Sequence, residues 1–358
     1  MGVRCLSLDP GVVTPASQIA EAIVGAISDP AMIAEVLRRC ERVTLENEFI
    51  PADAIRQALV LSGRSADALV PGVDTLATIQ DKLTQRHALA TAGVPSPNAV
   101  ALNDDGTIAR REIGFPMVLK ARFGGYDGKG TRYARTEDEF LSHRDLWSAG
   151  GWLAEEFVPF RRELSVMVAI DVTTETQFPT METVQTRHVC DVTFPASISE
   201  LGPANVGSIP RDAIRAVNGH GLFGIELFET ADGRVLVNEI APRPHNTGHY
   251  TLDWDAPSQF DYHVRLAMYL PIAPDPAGRH VLMANLLGQP GAGDFRVALR
   301  AMLDADPGLR FHWYGKEEAK PGRKMGHVNL VAEDEQSILG LLERLKSGRE
   351  RFYRNWTV

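Results

Sequence analysis

Four glycines in seven residues, Gly124 to Gly130, lie between an apolar run that ends on a lysine, Val118-Leu119-Lys120, and a second short run, Thr131 to Ala134. Glycine admits positive φ and close backbone approach, so such a loop can bring N–H groups against phosphate oxygens. With Lys120 before it and Lys129 inside it, the stretch reads as a phosphate cradle at the tip of a hairpin. It has neither the P-loop spacing nor the dinucleotide fingerprint, and it leads to another strand. A mobile surface hairpin is the plain alternative, but lysines at both ends are hard to explain structurally.

A chain of 358 residues exceeds one hydrophobic core, which predicts two or three α/β modules around a shared cleft. The 44% apolar and 23% charged composition is ordinary, and no apolar run is long enough to span a membrane. The net charge of −9 argues against nonspecific nucleic-acid binding and leaves room for small anions held by local basic groups. Cys5, Cys40 and Cys190 are too few and too scattered for a disulfide framework or a zinc site, and read as buried thiols of a reducing cytoplasm. The first residues carry no basic and apolar leader, which also favours the cytoplasm.

Residues 1–94 alternate short apolar runs (Val3 to Leu8, Ala20 to Val24, Val43 to Leu45) with helical patterns such as Pro30 to Cys40, predicting βαβ units and a parallel sheet. A longer helix, Thr75 to Ala92, should end at Gly93-Val94-Pro95. Residues 95–275 read mainly as strands, with Met117 to Ala121, Leu153 to Val158, Glu163 to Ile170, Gly224 to Phe228 and Val235 to Ile240 the clearest and a helix at Glu137 to Trp147. Ala231-Asp232-Gly233 should turn a hairpin. Residues 276–358 form a third, small unit: strands His280 to Leu287, Phe311 to Tyr314 and Lys324 to Val331, then a helix from Asp334 to Arg349.

Three further segments carry chemistry. Glu155-Glu156-Phe157-Val158 can offer backbone groups to a purine, with Glu163 accepting from ribose hydroxyls, although acidic residues at a strand edge are more often merely solvated. Glu226 and Glu239 lie on strands joined by the predicted hairpin. Each is set among apolar neighbours, so the pair needs a cation between them, Mg²⁺ by its preference for hard oxygen ligands, or else a nearby Arg or Lys. Directly after Glu239, Arg243, His245 and Asn246 are packed between prolines, a rigid donor set suited to a small oxyanion. Lys316 and Arg323 concentrate charge near the end of an acidic chain, fit to grip a phosphorylated substrate or simply to face solvent.

Taken in order, Gly124 to Gly130, Glu155 to Arg162 with Glu163-Leu164-Ser165-Val166, Asn238 to Tyr250, Ser258-Gln259-Phe260 and Gly322 to Asn329 resemble the ATP-grasp superfamily. The likeness is to its N5-carboxyaminoimidazole ribonucleotide synthase branch. The resemblance covers nearly the whole chain. It implies an α/β ATP-grasp fold with a parallel N-terminal domain, a central ATP-grasp domain and a small β-rich C-terminal domain. It implies ATP held by Lys82, Lys120, Gly125, Tyr126, Asp127, Gly128, Lys129, Gly130, Thr131, Glu155, Glu156, Phe157, Val158, Glu163, Asn238 and Glu239. It gives Mg²⁺ to Glu226 and Glu239, bicarbonate and carboxyphosphate to Arg243, His245 and Asn246, and aminoimidazole ribonucleotide to Glu48, Tyr126, Asp127, Lys316 and Arg323. Asp127 would accept the amine proton. The implied protein is a cytoplasmic homodimer of purine biosynthesis.

The chain also departs from that pattern. The family opens with a strand and a glycine-rich turn, whereas this sequence starts at what resembles the second strand, so about one βα unit is expected to be absent. An interior strand would then be lost and backbone edges left unpaired; dimerisation, a rearranged sheet or a misassigned start would each account for it. Gln185 stands where the family tends to carry His. The rival expectations are another ATP-grasp ligase of purine biosynthesis, such as a formate-using transformylase, and a nucleotide-binding pseudoenzyme.

Overall fold

The computed structural model describes residues 2–103, 105–125, 128–148, 151–332 and 337–356. Near the N-terminus, β1 (Leu6–Asp9) pairs in parallel with β2 (Glu21–Val24), and β3 (Val43–Thr44) with β4 (Leu69–Val70). The expected single parallel sheet is therefore two separate two-stranded pairs, and the first strand begins at Leu6 instead of Val3. Between them, α1 (Pro30–Arg39) starts on Asp29, whose carboxylate accepts from the Ala31 N–H at 2.8 Å. Ile33, Ala34 and Leu37 of α1 pack on Ile55 and Ala58 of α2 (Ala52–Ser62).

The expected helix from Thr75 to Ala92 is two helices, α3 (Val73–Gln80) and α4 (Lys82–Thr91). Asp81 takes extended backbone between them, and its Oδ1 accepts from the Leu83 N–H at 3.1 Å and from Arg122 Nε at 2.9 Å. A cap worth about 1 kcal/mol, reinforced by the guanidinium, outweighs an unbroken helix. The break sets Lys82 at the head of α4, aimed at the cleft.

Next comes a four-stranded antiparallel sheet in the order β5-β8-β6-β7, made of β5 (Ala99–Ala101), β6 (Met117–Ala121), β7 (Thr131–Ala134) and β8 (Trp152–Glu156). Met117 and Leu119 face a core with Ala109 of α5 (Thr107–Glu112), Phe140 of α6 (Glu137–Ser142) and Trp147 of α7 (Asp145–Ser148). By the period of two, Val118 and Lys120 face the other way. The helix expected across Glu137 to Trp147 is interrupted at His143-Arg144, where i→i+3 bonds tighten the turn.

A nine-stranded antiparallel sheet forms the base of the molecule. Its strands are β9 (Phe160–Ile170), β10 (Glu175–Gln177), β11 (Met181–Thr186), β12 (Val189–Pro195), β13 (Gly221–Thr230), β14 (Val235–Ala241), β15 (Val281–Leu287), β16 (Leu309–Trp313) and β17 (Lys324–Val331). The path is β14-β13-β9-β11-β12-β15-β17-β16, with β10 beside β9. Strands past residue 275 thus form no sheet of their own, because ladder bonds between β12 and β15 join them to the centre.

Leu164, Val166 and Val168 of β9 pack with Phe223 and Ile225 on α8 (Ile209–Ala216), while Met167 and Ala169 face Trp254 and α9 (Gln259–Ala267) on the other side. The C-terminal strands are covered by α10 (Phe295–Ala305) and α11 (Ile338–Trp356), which begins later and runs further than the expected helix from Asp334 to Arg349. All three cysteines are unpaired, but only Cys190 is buried; against expectation Cys5, just ahead of β1, is exposed and Cys40 is half-buried. Among the described residues no helix is long and apolar enough to cross a membrane.

Candidate active site

A cavity between the two sheets and the N-terminal region takes in Lys82, Lys120, Glu226, Glu239, Arg243 and Lys316 together. Its floor is the hairpin of β13 and β14, where Glu226 lies directly across from Glu239. Cross-strand partners share a face, so both carboxylates point into the cavity. The register then slips: Leu227 pairs with Val237, and Asn238 is the extra residue of a β-bulge. This puts the Asn238 side chain beside Glu239, where its Oδ1 accepts from Lys120 Nζ at 3.3 Å.

Lys82 Nζ binds Glu239 Oε1 at 2.8 Å. Lys120 Nζ binds Glu155 Oε2 at 2.6 Å, and Arg86 Nε holds Glu155 Oε1 at 2.8 Å, with Arg86 and Glu155 only 3% and 2% exposed. Burial alone would push the Glu155 carboxyl up; Arg86 and Lys120 overcome it and hold it at about 2. Glu155 is therefore not a solvated edge residue but the buried anchor of Lys120. Arg86, unread from sequence, is the missing partner: one turn after Lys82 on α4, it also donates to the Asn238 carbonyl at 2.6 Å.

Burial first, then the facing Glu239 charge, pushes Glu226 well above the usual carboxylate range. Two opposed carboxylates, one of them paired with Lys82, fit a hard divalent cation that takes its remaining ligands from phosphate and water. Among the described residues no group of three or more His, Cys, Asp or Glu is placed to hold a metal by itself, so such an ion would depend on a bound phosphate.

Glu163 lines the same cavity on β9, and burial pushes its carboxyl up to about 7. Its folded value exceeds its ordinary 4.5, so the folded state binds more protons and stability falls as pH rises through that window. Glu163→Gln should melt with the wild type at pH ~5 and above it at pH ~8, in scans without nucleotide. Equal midpoints at both would refute the desolvation argument.

The loop after β14 forms the next wall. Gly224 makes room for it: a Cβ there would lie 2.3 Å from His245 Cβ. His245 Nδ1 meets Thr247 Oγ1 at 2.8 Å, and its Nε2 lies 3.7 Å from Glu226. Burial takes the imidazole well below its ordinary pKa, so it is neutral. Asn246 Nδ2 is buried without a hydrogen-bond partner among the described residues, a donor left over for a ligand. Arg243 is gripped by both carboxylate oxygens of Glu48, so these two predicted ligands satisfy each other. Glu46, two residues earlier, was missed by sequence reasoning; burial pushes its carboxyl up, while Arg243 and Lys316 draw it down.

The described residues of the glycine loop line the cavity as well. Gly128 has φ +75°, and a Cβ there would lie 2.7 Å from His188, at the tip of the β11–β12 hairpin. Gly125, Lys129, Gly130 and Thr131 line the same space, whereas Tyr126 and Asp127 lie outside the described residues. Glu156, which accepts from Asn98 Nδ2 at 3.1 Å, lines the cavity edge with Phe157, Val158 and Gln185. At the far end, Lys316 Nζ bonds the Lys324 carbonyl at 2.7 Å, and Arg323 reaches the Glu318 carbonyl at 3.1 Å.

The family profile of the ATP-grasp domain matches residues 87–260, and that of the phosphoribosylaminoimidazole carboxylase C-terminal domain matches residues 281–340. An N5-carboxyaminoimidazole ribonucleotide synthase from Synechococcus elongatus is 39% identical over 88% of this chain and 80% of its own length. The chain belongs to the N5-carboxyaminoimidazole ribonucleotide synthase family. Within that family, the ADP complex of a synthetase superposes with a TM-score of 0.84 at 32% identity, over 99% of this chain and 92% of the other. The Aspergillus clavatus enzyme, in complex with ADP and 5-aminoimidazole ribonucleotide, gives 0.82 at 26% identity, over 97% and 91%. The chain spans 58% to 63% of the longer yeast phosphoribosylaminoimidazole carboxylases that it also matches. The architecture is thus an ATP-grasp fold.

Proposed function

We infer that the protein is a ligase that carboxylates 5-aminoimidazole ribonucleotide to N5-carboxyaminoimidazole ribonucleotide at the expense of ATP, a step of purine biosynthesis. The observation that carries this reading is the continuity of β14. Glu239, facing Glu226 and Lys82, is followed within seven residues by Arg243, His245 and Asn246, so a triphosphate and a small oxyanion would meet on one wall. Support comes from the relatives, among them a complex that holds ADP and 5-aminoimidazole ribonucleotide together.

In this reading a bicarbonate oxygen attacks the γ-phosphorus, the bond to the β-bridging oxygen breaks and ADP leaves. Carboxyphosphate then loses phosphate as the exocyclic amine forms its N–C bond and gives up a proton. Lys120 and Lys82 neutralise charge on the transferred group, and their fixed partners mean little reorganisation is needed. Neutral His245 and the spare Asn246 amide hold the oxyanion, and Lys316 with Arg323 takes the substrate phosphate. Mg²⁺, held by Glu226 and Glu239, would supply further charge neutralisation on the triphosphate. The family likeness extends the reading to a homodimer in the cytoplasm.

The test is ADP release by the purified chain with ATP, Mg²⁺ and bicarbonate, with and without aminoimidazole ribonucleotide, with the carboxylated product assayed alongside. Stimulation with product formation is expected. Stimulation by formate instead would move the chain to the transformylases, and no turnover with either would make it a pseudoenzyme.

A further inference from the structure

A buried polar seam joins the C-terminal strands to the substrate loop, and the reaction described above leaves it unused. On β17, His327 lies directly opposite Asn285 of β15 and His312 of β16, forming one polar row. Asp253, just after the Asn246–Leu252 turn, accepts from His312 Nε2 at 2.6 Å, Asn329 Nδ2 at 2.7 Å and Arg310 at 3.3 Å. His327 Nδ1 meets the Tyr314 hydroxyl at 2.9 Å, and its ring stacks on His312 with centroids 4.6 Å apart.

From there the seam reaches both ends of the cavity. The Tyr314 ring lies 5.4 Å under the Lys316 ammonium. His249 meets the His327 ring edge-on at 5.1 Å, and its Nδ1 lies 3.0 Å from the His245 carbonyl. Gln259 clamps the same residue, accepting from the His245 N–H at 2.9 Å and donating to its carbonyl at 3.0 Å. Burial depresses His327 to about 2 and His249 to about 4, so these two rings of the seam carry no charge near neutrality. What the seam can do is hold two loops in register.

We propose that Asp253, His312, His327 and Tyr314 are positioning residues that lock the Lys316 turn to the His245 loop, so that the amine is presented to the activated carboxylate before water reaches it. The inference rests on the carboxylation reading. A loose register lets carboxyphosphate hydrolyse, and ATP is then consumed without product.

The test assays Tyr314→Phe, His312→Leu and His312→Gln for ADP and carboxylated product side by side, with thermal midpoints measured. Tyr314→Phe keeps the ring and loses one hydrogen bond, so the KM for aminoimidazole ribonucleotide should rise about tenfold. Product per ADP should fall below that of the wild type, while bicarbonate-dependent ADP release stays near it. His312→Leu should uncouple likewise, and His312→Gln, which keeps a donor for Asp253, should restore most of the coupling. Product and ADP that stay in step in every variant would overturn the inference alone, as would losses that merely follow the melting temperature. A wild-type chain that makes no product from aminoimidazole ribonucleotide would overturn the function and the inference with it.

Discussion

Glu239→Gln should lower ADP release by about 10²- to 10³-fold, the usual loss when one preorganised charge is removed from a transfer site. The substitution keeps the volume and takes away the charge opposite Glu226 and the anionic partner of Lys82 at 2.8 Å. Because the mutual repulsion is relieved, Glu226 should return toward the ordinary carboxylate range and the fold should not suffer. The comparison is made at saturating ATP and Mg²⁺, with the melting temperature recorded on the same samples. Wild-type turnover in this variant would send phosphoryl transfer to another part of the molecule.

The largest loss of stability is expected from Glu155→Gln. Among the described residues Glu155 is the acidic partner that Arg86 and Lys120 share, and all three meet between α4 and the four-stranded sheet. Removing one member of a buried ionic cluster leaves the others desolvated without compensation, a penalty of about 3–5 kcal/mol. Urea unfolding should show it as a shifted midpoint, whereas breaking the exposed Arg300–Asp304 pair should leave the midpoint in place. Lys120, freed from its anchor, should also bind nucleotide less tightly. A midpoint unchanged by Glu155→Gln would mean that the cluster is solvated and does not orient Lys120.

Much of the scaffold was legible because local rules suffice for it. Met117 to Ala121, Thr131 to Ala134 and Lys324 to Val331 form strands over the ranges read from their patterns, and the Ala231-Asp232-Gly233 turn joins β13 to β14. The opposed pair Glu226 and Glu239 follows from that hairpin. Long-range pairing was not legible. Glu48 and Arg243 are 195 residues apart in sequence, and nothing near either one announces the other. Arg86 reads locally as one more charge on an amphipathic helix, and only the fold shows that it is buried against Glu155. Asp81 was absorbed into a helix because its capping role depends on Arg122, which arrives from another sheet. Pairing of β12 with β15 was equally hidden, since apolar strands carry no label for their neighbours.

That pairing has a mechanical consequence. The carboxylate hairpin, the His245 wall and the strands leading to Lys316 all hang from one continuous plate of ladder bonds, which resists shear between its parts. Among the described residues the four-stranded sheet forms no ladder with that plate and is tied to it at Asn238, through Lys120 and Arg86.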